Sequence, residues 1–334
     1  MKKSEYYYQQ RDRQESILSQ TNIFEKASGN GIWWNKEKKE WETYPHILQH
    51  QDSLINLFEE IRQDVLGYFK EYDIAWWRED DDRYFPTGNL LSSQIHCLNH
   101  LFRIRKDPYA VLSIIKAQCK DIVKVLPSPI DWHEYVFENN QTKKINSYIS
   151  FEFALDNPHL LNERTCKRGK DCTSIDAFVY AEDINRNRIL IPIEWKYTES
   201  YEKEDKYKAT DYVVNTRYKD LASRDYSNLN GWKDEYYWDP LYEFARQTLL
   251  MEQIIHEKPK CGAFPTKADD YIHIIVRPNE NKEIIENIQH FKNSVNDNGK
   301  KRIIEIDPQE LLSPLRGNEN YKDLITYLET RYWK

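Results

Sequence analysis

The stretch Arg188–Thr198, reading RILIPIEWKYT, constrains this chain more than any other. Its apolar opening, Ile189 to Ile193, is too short to cross a membrane and too rich in β-branched residues for a confident helix. As a strand it places Ile189, Ile191, Ile193, Trp195 and Tyr197 on one face, because side chains alternate. Leu190, Glu194, Lys196 and Thr198 share the other. A strand this apolar belongs in the middle of a sheet, where an acid and a base two residues apart are costly to bury idle.

Two more strands precede it. Ser174 to Ala181 carries Asp176 opposite its apolar neighbours, and the polar segment Glu182 to Arg188 has the Asn and Asp content of a hairpin connection. Such a hairpin brings Asp176 towards Glu194. Ile145 to Ala154 reads as a further strand carrying Glu152. Downstream, Pro240 opens a helix with the stripe Leu241, Phe244, Ala245, Thr248, Leu249 and Ile255. A strand at Tyr271 to Arg277, a helix at Lys282 to Val295, a strand at Arg302 to Ile306 and a closing helix at Tyr321 to Thr330 follow.

The order β-β-β-α-β over 145 to 277 gives an α/β (α+β) class, a mixed sheet flanked by helices. Before it the period is helical, with stripes at Leu54, Leu57, Ile61, Val65, Leu66 and Phe69 and at Leu91, Ile95, Leu98, Leu101 and Phe102. A third helix is expected after Pro108 and through to Val123. With no repeat or linker, the change of pattern suggests a mainly helical region 1–130 and a core 131–334 with an insertion at about 200–239.

Two carboxylates held close together repel, and a divalent cation relieves that repulsion. Oxygen donors without His or Cys favour Mg²⁺, with Mn²⁺ able to substitute. Phosphodiester hydrolysis uses such a site, and Lys196 beside it can orient a water or stabilise a pentacoordinate phosphorus.

Composition sets outer bounds. The 334 residues are 40% hydrophobic, enough for a sizeable core. A net charge of −7 argues against a polyanion binder held by bulk charge, although local basic stretches can still contact phosphates. Those stretches are Arg103, Arg105 and Lys106; Arg164, Lys167, Arg168 and Lys170; and Lys300, Lys301 and Arg302. Each is more often a solvated face. The 5 cysteines are odd in number and read as reduced thiols, and Cys166 with Cys172 lacks zinc-site spacing. Met1 to Arg13 has no apolar signal core, so a cytoplasmic protein without membrane association is expected.

The run Ser174-Ile175-Asp176 followed by Ile193-Glu194-Trp195-Lys196 resembles the D…ExK signature of the PD-(D/E)XK nucleases, which include many type II restriction endonucleases. Ile175 stands where the family name has proline. Pro86-Thr87-Gly88, Ser92-Ser93-Gln94, Asn99 and the stretch EWKYTESY from Glu194 to Tyr201 are similar to a bacterial group of restriction endonucleases. The resemblance spans roughly residues 55 to 277. It implies that Asp176 and Glu194 bind metal, that the Trp195 carbonyl is a further ligand, and that Lys196 is catalytic. Glu152 matches the extra acid many members carry, with an exposed strand-end residue as the equal alternative. Arg246 and Gln247 fall where members place polar residues facing the site, and Gln94 is drawn towards nucleic-acid binding together with Arg168 and Lys170. Ser92, Ser93, Gln94 and Asn99 also read as capping or interhelical bonds. Glu199 reads as a surface acid, and His96 with His100 as helix-surface residues over a metal pair.

The expected activity is a Mg²⁺-dependent endonuclease acting on double-stranded DNA, restriction-type, as a homodimer beside a cognate DNA methyltransferase of the same site specificity. Alternatives are a structure-specific or repair nuclease, a DNA-binding module with an inactive core, and a metal-independent glycoside hydrolase using the carboxylate pair.

Overall fold

The computed structural model describes residues 3–35, 38–77, 85–131, 134–138, 141–155, 158–163, 168–169, 172–199, 201, 207–257, 264 and 268–333. In chain order the strands are β1 (Gly31–Asn35), β2 (Glu40–Tyr44), β3 (Ile122–Leu126), β4 (Glu134–Glu138), β5 (Gln141–Ile145), β6 (Ser150–Phe153), β7 (Ile175–Asp183), β8 (Arg188–Trp195), β9 (Asp270–Tyr271), β10 (His273–Val276) and β11 (Ile303–Ile306). The helices are α1 (Glu5–Gln20), α2 (Arg62–Glu71), α3 (Ser93–Leu101), α4 (Pro108–Gln118), α5 (Tyr207–Arg217), α6 (Lys219–Ala222), α7 (Leu241–His256), α8 (Lys282–Ser294), α9 (Asp297–Arg302), α10 (Pro308–Leu311) and α11 (Lys322–Arg331). Among them no helix is long and apolar enough to cross a membrane.

The apolar strand is central, as its composition requires. β8 pairs antiparallel with β7 on one side and parallel with β9 and β10 on the other, and β10 pairs parallel with β11. The free edge of β7 is shared, with β6 along its first half and β3 along its second. The resulting seven-stranded mixed sheet matches the expected class, and the β8 to β10 crossover runs through α7.

Each face of the sheet buries its own apolar cluster. Ile189, Ile191, Ile193, Trp195 and Tyr197 pack against α2, α3, α4 and α11, whereas Leu190 joins α7 and α8 on the reverse. Burying side chains of this size contributes about 1.5–3 kcal/mol each. The alternation along β8 therefore fixes Glu194 and Lys196 on the α7 side, since a one-residue slip would turn every isoleucine outward.

Local signals set the helix ends. Ser92 caps α3 through the Ile95 N–H, Asn281 caps α8 through Ile284, and Asp107 caps α4 with Pro108 in its first turn. α4 stops at Gln118 instead of continuing to Val123. Ile122, Val123 and Val125 form β3, because a β-branched run beside the open edge of β7 gains ladder hydrogen bonds there. Two further differences are the hairpin β1–β2, which had no counterpart in the sequence reading, and the separation of the expected Ile145–Ala154 strand into β5 and β6.

Candidate active site

The register of the sheet lines up three acids. In the β7–β8 ladder Ala177 faces Ile193, so one step further Asp176 lies opposite Glu194. In the β6–β7 ladder Phe151 faces Ala177 and Phe153 faces Ile175, which sets Glu152 opposite Asp176. Adjacent strands lie about 4.8 Å apart, so Glu152, Asp176 and Glu194 form a row across the end of the sheet.

Glu152 is held there under strain. Its φ is +48°, a left-handed conformation that costs a non-glycine residue about 1–3 kcal/mol. Phe151 consequently packs in one core cluster and Phe153 in the other, although residues two apart on a regular strand share a face. Gln94 on α3 donates to Glu152 Oε1 at 2.7 Å, and Ser174 Oγ donates to Oε2 at 3.3 Å. The carboxyl is 3% exposed, so the exposed strand-end alternative does not hold.

The face of the sheet that carries Glu194 and Lys196 is covered by α7. Lys196 Nζ is bonded to both Glu194 and Glu243, and Gln247 Nε2 donates to Glu194. One α-helical turn separates Glu243 from Gln247, so both point at the sheet end. Glu243 was missed in the sequence, because its role comes from a contact 47 residues distant rather than from local pattern. The usable signal was its i, i+4 relation to Gln247.

The electrostatics follow from crowding. Burial raises the pKa of Asp176 well above the usual aspartate range, and Glu152 adds to it. Burial likewise raises Glu194, with Asp176 and Glu243 contributing. Glu152 is pushed up to about 7 by burial and by Glu194. Burial disfavours charge on Lys196, but Glu194 and Glu243 outweigh it and the ammonium is kept. Glu243, half-buried at the cavity wall, is held below the ordinary value by Lys196. Four acids thus face one ammonium, an excess of negative charge that a divalent cation fits.

The donor set is all oxygen, which suits Mg²⁺ or Mn²⁺. Gln247 Oε1 is fully buried, has no hydrogen-bond partner among the described residues, and adds an oxygen beside the row. Among the described residues no three His, Cys, Asp or Glu side chains are already disposed as a ligand sphere. The reason is visible in the contacts: Asp176 Oδ2 accepts the Trp195 N–H at 2.7 Å, and Lys196 is bonded to Glu194. The Trp195 backbone lies between the Glu194 and Lys196 side chains, and its indole packs on the opposite face.

A cavity of about 130 Å³ opens over the acids, lined by Trp77, Glu152, Asp176, Glu243, Arg246 and Gln247 among others. Arg246 bonds to Thr173 Oγ1 at 3.0 Å and pairs with Glu163 at 3.6 Å, yet its side chain remains 19% exposed at the wall. Arg168 is engaged inside the protein, with Asp131, the Tyr68 hydroxyl and the carbonyls of Phe151 and Glu152. Lys170, Arg164 and Lys167 lie outside the described residues. Gln94 bonds inward to Glu152, Ala75 and Trp77. Asn99 links Phe58, Asn56 and Tyr332.

Other candidates are occupied elsewhere. Arg103 pairs with Glu60, Lys106 with Asp64 and Arg302 with Asp270. Glu199 is half-buried and accepts the Tyr197 N–H at 2.6 Å. His96 and His100 are buried, which corrects the helix-surface reading. His96 Nδ1 accepts the Trp195 indole N–H at 2.6 Å, and His100 Nε2 accepts that of Trp333 at 3.0 Å. Burial depresses both, His100 to about 3, so each is neutral. Cys97 and Cys119 are buried free thiols, Cys172 lies in the cavity lining, and Cys166 and Cys261 lie outside the described residues.

With this geometry in place, comparison with known families is decisive: the profile described as Restriction Endonuclease associating with ARP matches residues 15–333. The chain belongs to that family. A restriction-associated nuclease role follows from membership, and the matched span contains every residue of the acid row, Lys196 and the α7 face. No curated protein and no solved structure matches the chain.

Proposed function

We infer that the chain is a PD-(D/E)XK endonuclease that hydrolyses phosphodiester bonds of double-stranded DNA with Mg²⁺, in a type II restriction role. The observation that carries this reading is the row Glu152–Asp176–Glu194 on three adjoining strands with Lys196 against its end. Asp176, Glu194 and Glu152, with the Trp195 carbonyl, would hold the ion. When bound, the ion polarises a phosphoryl oxygen and lowers the pKa of a coordinated water.

The chain's own groups do the rest. Lys196 stays charged between Glu194 and Glu243, so its N–H bonds can orient the attacking water or stabilise the oxygens that gain charge at phosphorus. Gln247 fixes the Glu194 carboxylate, and Gln94 fixes Glu152. Arg246 at the cavity wall offers a guanidinium to the phosphate. A homodimer would present two such sites to the two strands, and a methyltransferase modifying the same sequence would protect the host DNA.

The test is incubation of a sequenced supercoiled plasmid with purified protein, with and without Mg²⁺, followed by mapping of the ends. Discrete ends that vanish with EDTA support restriction-type cutting. Nicking only at branched or single-stranded substrates moves the assignment to a structure-specific nuclease. Metal-dependent binding without cutting leaves a DNA-binding module, and activity that survives EDTA removes the metal mechanism.

A further inference from the structure

Among the described residues that line the cavity, Trp77 is the one aromatic. It is 57% exposed, whereas its neighbour Trp76 is buried and stacked on Phe69 with ring centroids 3.9 Å apart. An indole left in water forgoes the burial its size would reward, so a solvent-facing tryptophan at a cavity mouth calls for an occupant. Its backbone is tied to the acid row: the Trp77 N–H donates at 3.0 Å to Gln94 Oε1, and the same amide donates to Glu152 Oε1 at 2.7 Å and to Ala75 O at 3.2 Å. The Trp77 backbone is thus held beside the carboxylates by the single side chain of Gln94.

The lining of the cavity divides the ligand. Its carboxylates Glu152, Asp176 and Glu243 suit a phosphoryl group brought in with a cation, whereas Trp77 offers an aromatic face to a base. A nucleotide whose phosphate enters among the acids can therefore lay its base beside Trp77. Inside a regular duplex both faces of each base are covered by neighbouring bases, so an indole can stack only on one that has left the helical stack.

We propose that Trp77 is a stacking platform for a base next to the scissile phosphate, a base that leaves the helical stack when the site binds duplex DNA. The proposal rests on the nuclease reading above and adds to it a substrate geometry. A mismatch, a nick, a strand end or a base displaced on binding would each present the required face. Arg246 on the cavity wall then takes the phosphate while the indole takes the base.

The test is equilibrium binding of the full chain in Ca²⁺, using two fluorescein-labelled duplexes that differ only in a central run of mismatched pairs. Aromatic stacking of one base predicts that W77A binds the mismatched duplex between about fivefold and about 100-fold more weakly, and that W77F recovers to within about threefold of wild type. A 2-aminopurine in the mismatched run should be quenched by wild type and not by W77A. Because the indole is exposed, W77A should melt together with wild type. Equal affinity of W77A and wild type for the mismatched duplex overturns the platform, as does a W77F loss equal to that of W77A. If wild type binds neither duplex in any buffer, the nuclease reading itself falls and the platform with it.

Discussion

The two faces of β8 bury ionisable side chains in opposite ways. On the α3 side His96 and His100 are neutral and each accepts an indole N–H, from Trp195 and Trp333. Tyr197 stacks on His96 at 4.1 Å, and Arg331 nearby is surrounded by Asn56, Tyr327 and Gln14. On the α7 side Glu194 and Glu243 share one ammonium and Gln247 donates to Glu194, while Asp176 and Glu152 crowd the same end of the sheet. A satisfied polar network stabilises a unique packing, while an unsatisfied one stores repulsion that an incoming ligand can release. The contrast assigns structure to one face and, under the proposed function, chemistry to the other, 195 and 194 being adjacent residues of a single strand.

The strongest challenge to that division is Lys196→Ala. Removing a group that acts in the transition state should slow plasmid cleavage by about 10³-fold and change DNA affinity little. Rates at saturating DNA and binding in Ca²⁺ separate the two effects, and wild-type cutting by the variant would refute the role of Lys196. The next challenge is Asp176→Asn. Millimolar Mn²⁺ should raise the melting temperature of wild type by roughly 3–5 °C and leave the variant unmoved. Equal shifts would place the ion elsewhere.

The opposite face should respond in stability alone. His96→Leu leaves the Trp195 indole N–H without its acceptor inside the core, which costs about 1–3 kcal/mol in denaturant unfolding. Well below its melting point this variant should cut within about tenfold of wild type, and a loss as deep as that of Lys196→Ala would erase the distinction between the faces.

The smallest effect sharpens the comparison through pH. Glu152 titrates at about 7 in the folded chain against about 4.3 in the unfolded one, so the fold binds its proton more tightly. Ionisation therefore destabilises the fold as pH rises across that window, fully above about pH 7 and not at all below about pH 4. Glu152→Gln should gain stability over wild type at pH 8, by at most about 4 kcal/mol, and the gain should fade at pH 5. His46 and His273, depressed by burial to about 4, act with the opposite sign in both proteins and cancel in the difference. A gain independent of pH would assign the effect to packing.

How much of this was legible in the sequence depended on the range of each contact. Alternation along Ile189–Thr198 gave the buried strand, its two faces and the pairing of Glu194 with Lys196, because a period of two is local information. The polar hairpin before Arg188 gave the approach of Asp176. Glu243 stayed hidden because its partner Lys196 is reached only after α7 folds back over the sheet. The left-handed Glu152 left no trace either, since nothing in Ser150-Phe151-Glu152-Phe153 demands it. Arg168 misled for the same reason. A basic stretch reads as a phosphate site until its guanidinium is seen among Asp131, Tyr68 and two carbonyls. The end of α4 at Gln118 shows a β-branched run taken by the sheet edge over the helix.

One consequence of the central position of β8 concerns folding kinetics. The strand carrying Glu194 and Lys196 is lined by residues from His96 to Tyr332, so its environment is assembled from parts of the chain separated by more than 200 positions. Loop closures of that span are slow and come late. Nascent or proteolysed fragments would possess the acids without the geometry, and the candidate site would be complete only once the polypeptide had closed around its own middle.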